Sequence, residues 1–184
     1  MRPETQARRL ATAKALEVAG DHPDALVLAA DTVVAYRGEV LGKPADAAEA
    51  RDMLRKLRGR QHRVITGVAL VAPGSKRARV AHAVSRVSMR TYTDMEIDAA
   101  IAAGVPFDKA GGYGIQDPVL RPVKACDGCI CNVMGLPLWT AAELLKPTGC
   151  ETDTRAIPER CLACPARSAG AATAQPRDSG ILGS

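Results

Sequence analysis

The chain has 184 residues, of which 47% are hydrophobic and 24% are charged, and this composition is typical of one globular domain with its own core. Only 3% of the residues are aromatic, which disfavours a base-stacking nucleic-acid surface despite the net charge of +5. No apolar run approaches the roughly 20 residues of a membrane span and the N-terminus lacks the apolar stretch of a signal peptide, so we expect a cytoplasmic protein with mostly reduced cysteines.

The first half of the chain predicts helices and strands in alternation. A helix is predicted over 4–18, where apolar residues recur at helical spacing and Gly20 follows. The nearly continuous apolar run 25–34 predicts a strand buried on both faces, and Asp31 interrupts it near its C-terminal end. Three elements then follow: a short strand ending at Leu41, a helix from a capping pattern at 46–49 to Gly59, and a strand over 64–71.

The second half continues with a return strand over 80–89, after a turn at 73–75. The capping-box pattern of Thr93 and Glu96 predicts a helix that ends at Gly104. The remaining predicted elements are a loop over 107–116, a strand over 119–123, a turn at 127–128 and a helix over 138–145.

This order of elements predicts an α/β or α+β fold, in which helices flank a mixed, twisted sheet. From Pro147 onward the sequence is rich in Thr, Ala, Gly, Pro and Arg and shows no apolar period. Such a segment cannot bury a core. We therefore predict a single domain over 1–146 and a disordered tail over 147–184.

The first polar cassette, residues 28–44, sets charged side chains into apolar sequence. An ionised carboxylate in an apolar strand costs several kcal/mol unless it has a partner. We therefore predict that Asp31 is a metal ligand or a general base. The alternative is that it caps a neighbouring helix or turn. Lys43 lies between Gly42 and Pro44, where a lysine suits a phosphate oxygen or is simply a solvated turn residue.

The second cassette is the loop 107–116, which brings together Asp108, Lys109 and a glycine pair. Polyphosphate chemistry needs metals and cations aimed at phosphate oxygens, and these residues meet that need, with Asp108 as a metal ligand and Lys109 as a phosphate contact. Gln116 has an amide that can read a base edge. The alternative is a glycine-rich loop with a structural Asp–Lys pair. The GxxxxGK[ST] pattern is absent, which excludes an ordinary P-loop.

The chain also contains six cysteines. Two pairs have the spacing found in zinc ribbons, namely Cys126-x2-Cys129 and Cys161-x2-Cys164. Because a predicted helix separates the pairs and the second pair falls in the predicted tail, we expect free thiols rather than a zinc site.

Several short motifs occur in a fixed order along the chain. They are LATAKA (10–15), ADTVV (30–34), LGKP (41–44), GRQH (59–62), TGV (66–68), DKAGGYGIQ (108–116) and NVMGLP (132–137). This series resembles the Maf family of nucleoside triphosphate pyrophosphatases, also named septum-formation inhibitors. The resemblance runs from about Leu10 to Leu145 and so covers most of the chain apart from the tail.

The resemblance implies a fold like those of Maf proteins and inosine triphosphatases, and hydrolysis of a nucleoside triphosphate to the monophosphate and pyrophosphate. It implies a divalent cation, Mg²⁺ or Mn²⁺, held by Asp31 and Asp108. Asp31 matches the family's proton acceptor, and Thr32 and Gln116 match its substrate-selecting positions. The lysines that match its phosphate site are Lys14, Lys43 and Lys109. The cassettes look like those of the subgroup that acts on dTTP and UTP.

The family's first strand and its Ser-x-Ser-Pro-Arg-Arg-type loop have no match here, since Met1 falls almost at the first helix. We expect either a true start upstream or a shortened homologue with little activity, and we expect low stability of the chain as it stands, because a lost strand exposes its neighbour's backbone groups.

Three hypotheses of function follow from the sequence. The leading one is a dTTP/UTP pyrophosphatase, and the second is a non-catalytic, nucleotide-binding regulator of cell division. The third, a basic nucleic-acid binder, is disfavoured because aromatic and recognition-helix patterns are lacking. The expected partner is thus a nucleoside triphosphate, with no membrane and no nucleic acid, and a homodimer is left open.

Overall fold

A five-stranded sheet forms the centre of the computed structural model, which describes residues 1–150, 153, 161 and 164. The strands are β1 (Val27–Tyr36), β2 (Glu39–Leu41), β3 (Gln61–Val71), β4 (Ala78–Met89) and β5 (Val123–Asp127). Their order is β2-β1-β3-β4-β5. The predicted class, helices flanking a sheet, is confirmed. The four pairings of the described strands are all antiparallel, so the sheet is not of the mixed kind that we expected.

Helices cover both faces of this sheet. They are α1 (Pro3–Asp21), α2 (Ala47–Leu57), α3 (Asp94–Ala102), α4 (Ile130–Val133) and α5 (Leu138–Leu145), with 3-10 turns at Ala110–Gly112 and Lys146–Thr148. Helix α1 packs on one face, and α2, α3 and α5 pack on the other. Among the described residues no helix is long and apolar enough to span a membrane.

Helix α1 lies unusually close to the sheet. Its buried stripe consists of Ala7, Ala11 and Ala15, which are spaced four residues apart and have no exposed surface. Opposite this stripe, β3 carries Gly67, where an added Cβ would lie 2.4 Å from the carbonyl oxygen of Ala7. Small residues on both elements therefore set the close approach of α1 to the sheet.

The larger core lies on the opposite face, between the sheet and helices α2 and α3. Leu54, Leu57 and Ile97 are fully buried there against strands β1, β3 and β4. The predicted capping box of α3 is confirmed, because Thr93 and Glu96 each accept a hydrogen bond from the other's backbone N–H. This core fixes the helices on the face where the second cassette lies.

Two predicted features differ from the structure. Strand β1 continues to Tyr36, so Asp31 lies in its middle and not near its C-terminal end. The predicted strand 119–123 is wrong: the side chain of Asp117 accepts hydrogen bonds from the N–H groups of Val119 and Leu120, which curls this segment into a turn. Pairing with β4 begins only at Val123.

The outer edge of β1 is only partly covered. Strand β2 pairs with it at residues 34–36, and in the described part of the chain no strand pairs with this edge at 27–33. The sheet is therefore open beside Asp31 and Thr32, and side chains of both faces meet at this edge.

The cysteines also differ from the prediction. Cys129, Cys131, Cys161 and Cys164 form one buried cluster, in which Cys131 and Cys161 are bonded to each other. The expectation that all six are free thiols is thus wrong for this pair. Most of the predicted tail, 147–184, lies outside the described residues.

Candidate functional site

A cleft of about 710 Å³ lies at the open edge of β1. Its walls come from α1, β1, β3, the segment after β2, the loop between α3 and β5, and the end of α4 with the residues that follow it. All seven residues that the sequence singled out line it: Lys14, Asp31, Thr32, Lys43, Asp108, Lys109 and Gln116. The fold therefore brings together side chains that are about 100 residues apart in the chain.

Asp31 is held in the middle of β1, opposite Gly67 of β3. Its side chain is 15% exposed and forms an ion pair with Lys14, whose side chain is 56% exposed. Because Gly67 lets α1 approach the sheet, Lys14 reaches the carboxylate from above the same face. The partner that an aspartate in an apolar strand needs is thus a lysine of α1.

Thr32 belongs to a buried hydrogen-bond network on the opposite face. Its hydroxyl lies 2.8 Å from the hydroxyl of Thr66, and Thr66 donates its own proton to the carbonyl oxygen of Asn132 at 2.8 Å. Thr32 must therefore donate to Thr66. This leaves the lone pairs of the Thr32 oxygen as acceptors at the cleft.

Asn132 holds this network together. Its side-chain oxygen accepts from the N–H of Thr66 at 3.0 Å, and its amide donates to the carbonyl of Val64 at 3.0 Å and to the hydroxyl of Ser85 at 2.8 Å. The residue is fully buried, and every polar atom of its side chain has a partner. The segment that follows it, residues 133–135, forms one wall of the cleft.

The two cassettes are joined by a backbone hydrogen bond. The N–H of Gly111 donates to the carbonyl of Gly42 at 2.9 Å. Gly111 has φ +75°, and an added Cβ would lie 3.1 Å from a methyl group of Val34, so both its backbone conformation and its surroundings favour glycine. Lys43, next to Gly42, is thereby fixed against the loop that carries Lys109.

Lysines and carboxylates alternate along this side of the cleft. Lys109 forms an ion pair with Asp108 and also donates to the carbonyl of Val105 at 3.2 Å. The hydrogen bond from Lys109 lowers the pKa of Asp108, and the positive charge of Lys43 acts in the same direction. Within the described part of the chain Lys43 itself forms no hydrogen bond or salt bridge, so its ammonium is available to a ligand.

Behind the loop, Tyr113 connects the cleft to the core. Its hydroxyl lies 2.5 Å from Nε2 of His62, and the two rings pack edge to face. Burial lowers the pKa of His62 to about 4 and raises that of Tyr113, so both are neutral near pH 7. Among the described residues, the Nδ1 atom of His62 has no hydrogen-bond partner.

Sequence reasoning did not assign a role to four of these residues, namely His62, Thr66, Tyr113 and Asn132. A signal existed for Asn132, an amide in an otherwise apolar stretch that ends in Gly135. Its partners are 47 to 68 residues away in the chain, and only the fold identifies them.

A divalent cation fits the cleft only together with a ligand. The described residues contain no group of three or more His, Cys, Asp or Glu side chains that could hold a metal by themselves. Asp31 and Asp108 nevertheless both line the cleft. Mg²⁺ commonly takes one or two carboxylates and completes its shell with water and phosphate oxygens. The donor set therefore fits a cation that arrives with a polyphosphate.

Comparisons with known proteins agree with this description. A family model described as "Maf-like protein" matches residues 1–148. A dTTP/UTP pyrophosphatase of Thermomicrobium roseum is 54% identical over 166 residues, which cover 89% of this chain and 75% of the relative. Those of Pelotomaculum thermopropionicum and Salinibacter ruber are 46% and 51% identical, covering 80% and 74% of this chain and 77% and 67% of the relatives.

Proposed function

Because the chain belongs to the Maf-like family, we propose that it is a nucleoside triphosphate pyrophosphatase that converts dTTP and UTP, with water, into the monophosphate and pyrophosphate. The observation that carries this proposal is the convergence of both polar cassettes on one cleft at the edge of β1. The names of the relatives support the choice of nucleotides.

In the proposed reaction, water cleaves the anhydride bond between the α- and β-phosphates. Asp31 takes the proton from the attacking water, which is the role of a general base. Its ion-pair partner Lys14 holds the carboxylate in place and can turn toward a phosphate oxygen, since the lysine side chain is half-exposed. Lys43 and Lys109 neutralise phosphate charge from the opposite side of the cleft.

The proposed cofactor is Mg²⁺ or Mn²⁺, held by Asp31 and Asp108 together with phosphate oxygens. When bound, such a cation neutralises phosphate charge and orients the triphosphate. Asp108 suits this role because it is ionised and its side chain is 75% exposed in the cleft. Its ion pair with Lys109 keeps the carboxylate in place until a ligand enters.

Selection of the base is assigned to Thr32 and Gln116. Uracil and thymine carry an N–H at position 3, whereas cytosine has an acceptor there. Because the Thr32 hydroxyl donates its proton to Thr66, its oxygen can only accept a hydrogen bond from a base. It accepts from the N–H at position 3 of uracil or thymine, whereas it faces an acceptor in cytosine and the two lone pairs repel each other. The amide of Gln116 supplies a donor for a base carbonyl.

The first test measures pyrophosphate release by the purified chain with Mg²⁺ and dTTP, UTP, CTP or GTP. We expect turnover of dTTP and UTP, and a loss of about 10²–10⁴-fold in kcat for Asp31→Asn. Asp24→Asn, at an exposed turn, is the matched control and should retain the parent rate. Nucleotide binding without turnover by the unaltered chain would instead support the non-catalytic regulator.

A second test addresses the base. Thr32→Val removes the acceptor and keeps the shape of the side chain, so we expect kcat/KM for UTP to fall by about tenfold or more while that for CTP changes little. The ratio of the two rates is the readout, because it is insensitive to the fraction of active protein. An unchanged ratio would remove Thr32 from base selection.

A further inference from the structure

A second group of side chains that can carry chemistry is the cluster of Cys129, Cys131, Cys161 and Cys164. Their residues are between 0% and 6% exposed. Ile130, Leu138 and Trp139 pack against the cluster. Four sulfur atoms from two segments about 30 residues apart thus converge in an apolar environment, and none of these four cysteines lines the cleft.

The bond between Cys131 and Cys161 explains this convergence poorly. Their Cα atoms are 7.1 Å apart, whereas the Cα atoms of disulfides usually lie about 4.4 to 6.8 Å apart. The bond also engages only two of the four sulfurs, because Cys129 and Cys164 remain thiols in the same cluster. A centre that binds all four sulfurs would account for both observations.

Hydrogen bonds hold both groups of cysteines, the first of which lies at the start of helix α4. The N–H of Asn132 donates to the sulfur of Cys129 at 3.4 Å, and the N–H of Cys164 donates to the carbonyl of Cys161 at 3.2 Å. Trp139 holds Cys161 through its indole N–H, which donates to the Cys161 carbonyl at 2.8 Å. The spacing of Cys161 and Cys164 is typical of structural zinc sites, whereas a single residue separates Cys129 from Cys131.

We propose that, in the reduced protein, Cys129, Cys131, Cys161 and Cys164 bind one Zn²⁺ as a closed tetrathiolate site. Four thiolates satisfy tetrahedral zinc, with Zn–S distances of about 2.3 Å. Binding releases the four thiol protons. As the described residues stand, with Cys131 and Cys161 bonded, no group of three or more potential ligands is arranged around a metal position. The site therefore requires these two sulfurs to separate.

This ligand set differs from the one that spacing suggested. Cys126 lies in β5, where it packs against the main core, and Cys131 takes its place in the cluster. Two of the four ligands lie beyond residue 148, where the family match ends. The site would tie Cys161 and Cys164 to helix α4, which contains Asn132 and thereby contacts the Thr32–Thr66 network of the cleft.

The test uses the full 184-residue chain, expressed with zinc and purified under a phosphine reductant. Elemental analysis should find about one zinc per chain. In Cys161→Ser/Cys164→Ser the zinc content should fall at least tenfold, and in the control Cys126→Ser it should stay unchanged. Replacement by Co²⁺ should give the visible absorption of a tetrahedral thiolate complex.

A second readout does not depend on the folding of any variant. Alkylation of the native, unaltered chain, followed by mass spectrometry, should leave these four cysteines protected until a zinc chelator is added. A chain that holds no zinc under reducing conditions, or that keeps its zinc in Cys161→Ser/Cys164→Ser, would overturn the proposal. A Cys131–Cys161 disulfide that forms again in the presence of zinc would do the same.

Discussion

The cleft has two sides that are built in opposite ways. Thr32 and its partners Thr66 and Asn132 form the Thr32 side, and Lys43, Asp108 and Lys109 form the lysine side. On the Thr32 side, Thr66 and Asn132 are fully buried and each of their side-chain polar atoms has a protein partner. On the lysine side, the ionic groups are exposed, 39% for the side chain of Lys109 and 75% for that of Asp108. These two form an ion pair, and Lys109 also donates a hydrogen bond to the carbonyl of Val105. Groups held rigidly in a buried network suit discrimination between similar bases, whereas exposed charged side chains can adjust to bind a polyphosphate.

The largest effect should come from breaking the buried side. Asn132→Ala leaves the N–H of Thr66, the carbonyl of Val64 and the hydroxyl of Ser85 short of a partner in the core. Each such group costs about 1–3 kcal/mol, so we expect a loss of roughly 3–5 kcal/mol in the free energy of unfolding, measured with urea. Gln61→Ala removes an exposed amide from the same region and should cost less than about 0.5 kcal/mol. Equal costs would show that the network does not stabilise the fold.

Acid should lower the free energy of unfolding through His62, which contacts Tyr113 behind the lysine side of the cleft. The pKa of His62 is lowered by burial from 6.5 to about 4, so the unfolded chain binds a proton at a higher pH than the folded one. Stability is therefore unaffected above pH 6.5 and falls between about pH 6.5 and 4, by up to about 3 kcal/mol for this residue.

The pH dependence of the urea midpoint checks this expectation. In His62→Gln the loss of stability between pH 6.5 and 4 should be smaller but still present, because burial and the charge of Arg8 also lower the pKa of His82. An equally large loss of stability over this pH range in His62→Gln would contradict the assignment of that loss to His62.

The smallest effect on stability, and a selective one on function, should come from the lysine side. Lys43→Ala removes an ammonium that has no ion pair in the described residues, so the urea midpoint should stay within about 0.5 kcal/mol of the parent. If Lys43 contacts phosphate, kcat/KM should fall by about tenfold or more. Lys124→Ala, exposed on β5, is the control. A kcat/KM equal to that of the control would exclude Lys43 from the site.

Local patterns predicted those elements that depend on neighbouring residues. Helix α5 begins at Leu138 and ends at Leu145, as predicted, because Pro137 favours a helix start and an apolar stripe follows. The wrong strand at 119–123 arose because apolar content outweighed the turn chemistry of Asp117, two residues upstream. The four-residue helix α4 is too short to show a period.

The site was predictable to the extent that its residues lie within short motifs. All seven site residues that the motifs predicted line the cleft, including Lys14 and Gln116, because each motif keeps its side chains close in sequence. The network that fixes Thr32 spans strands β1 and β3 and the segment at Asn132, and its partners are separated by 34 and 66 residues. No local pattern specifies such contacts, since they depend on strand register and on how α4 meets the sheet.

The open edge of β1 also has a consequence for how a ligand leaves. Asp31 and Thr32 are neighbours in a strand, so their side chains point to opposite faces of the sheet. A molecule that contacts both must straddle the edge, and its two ends reinforce each other's binding as linked ligands do. Cleavage between those ends severs the link. Neither fragment can then contact both Asp31 and Thr32, and each dissociates more readily than the intact molecule.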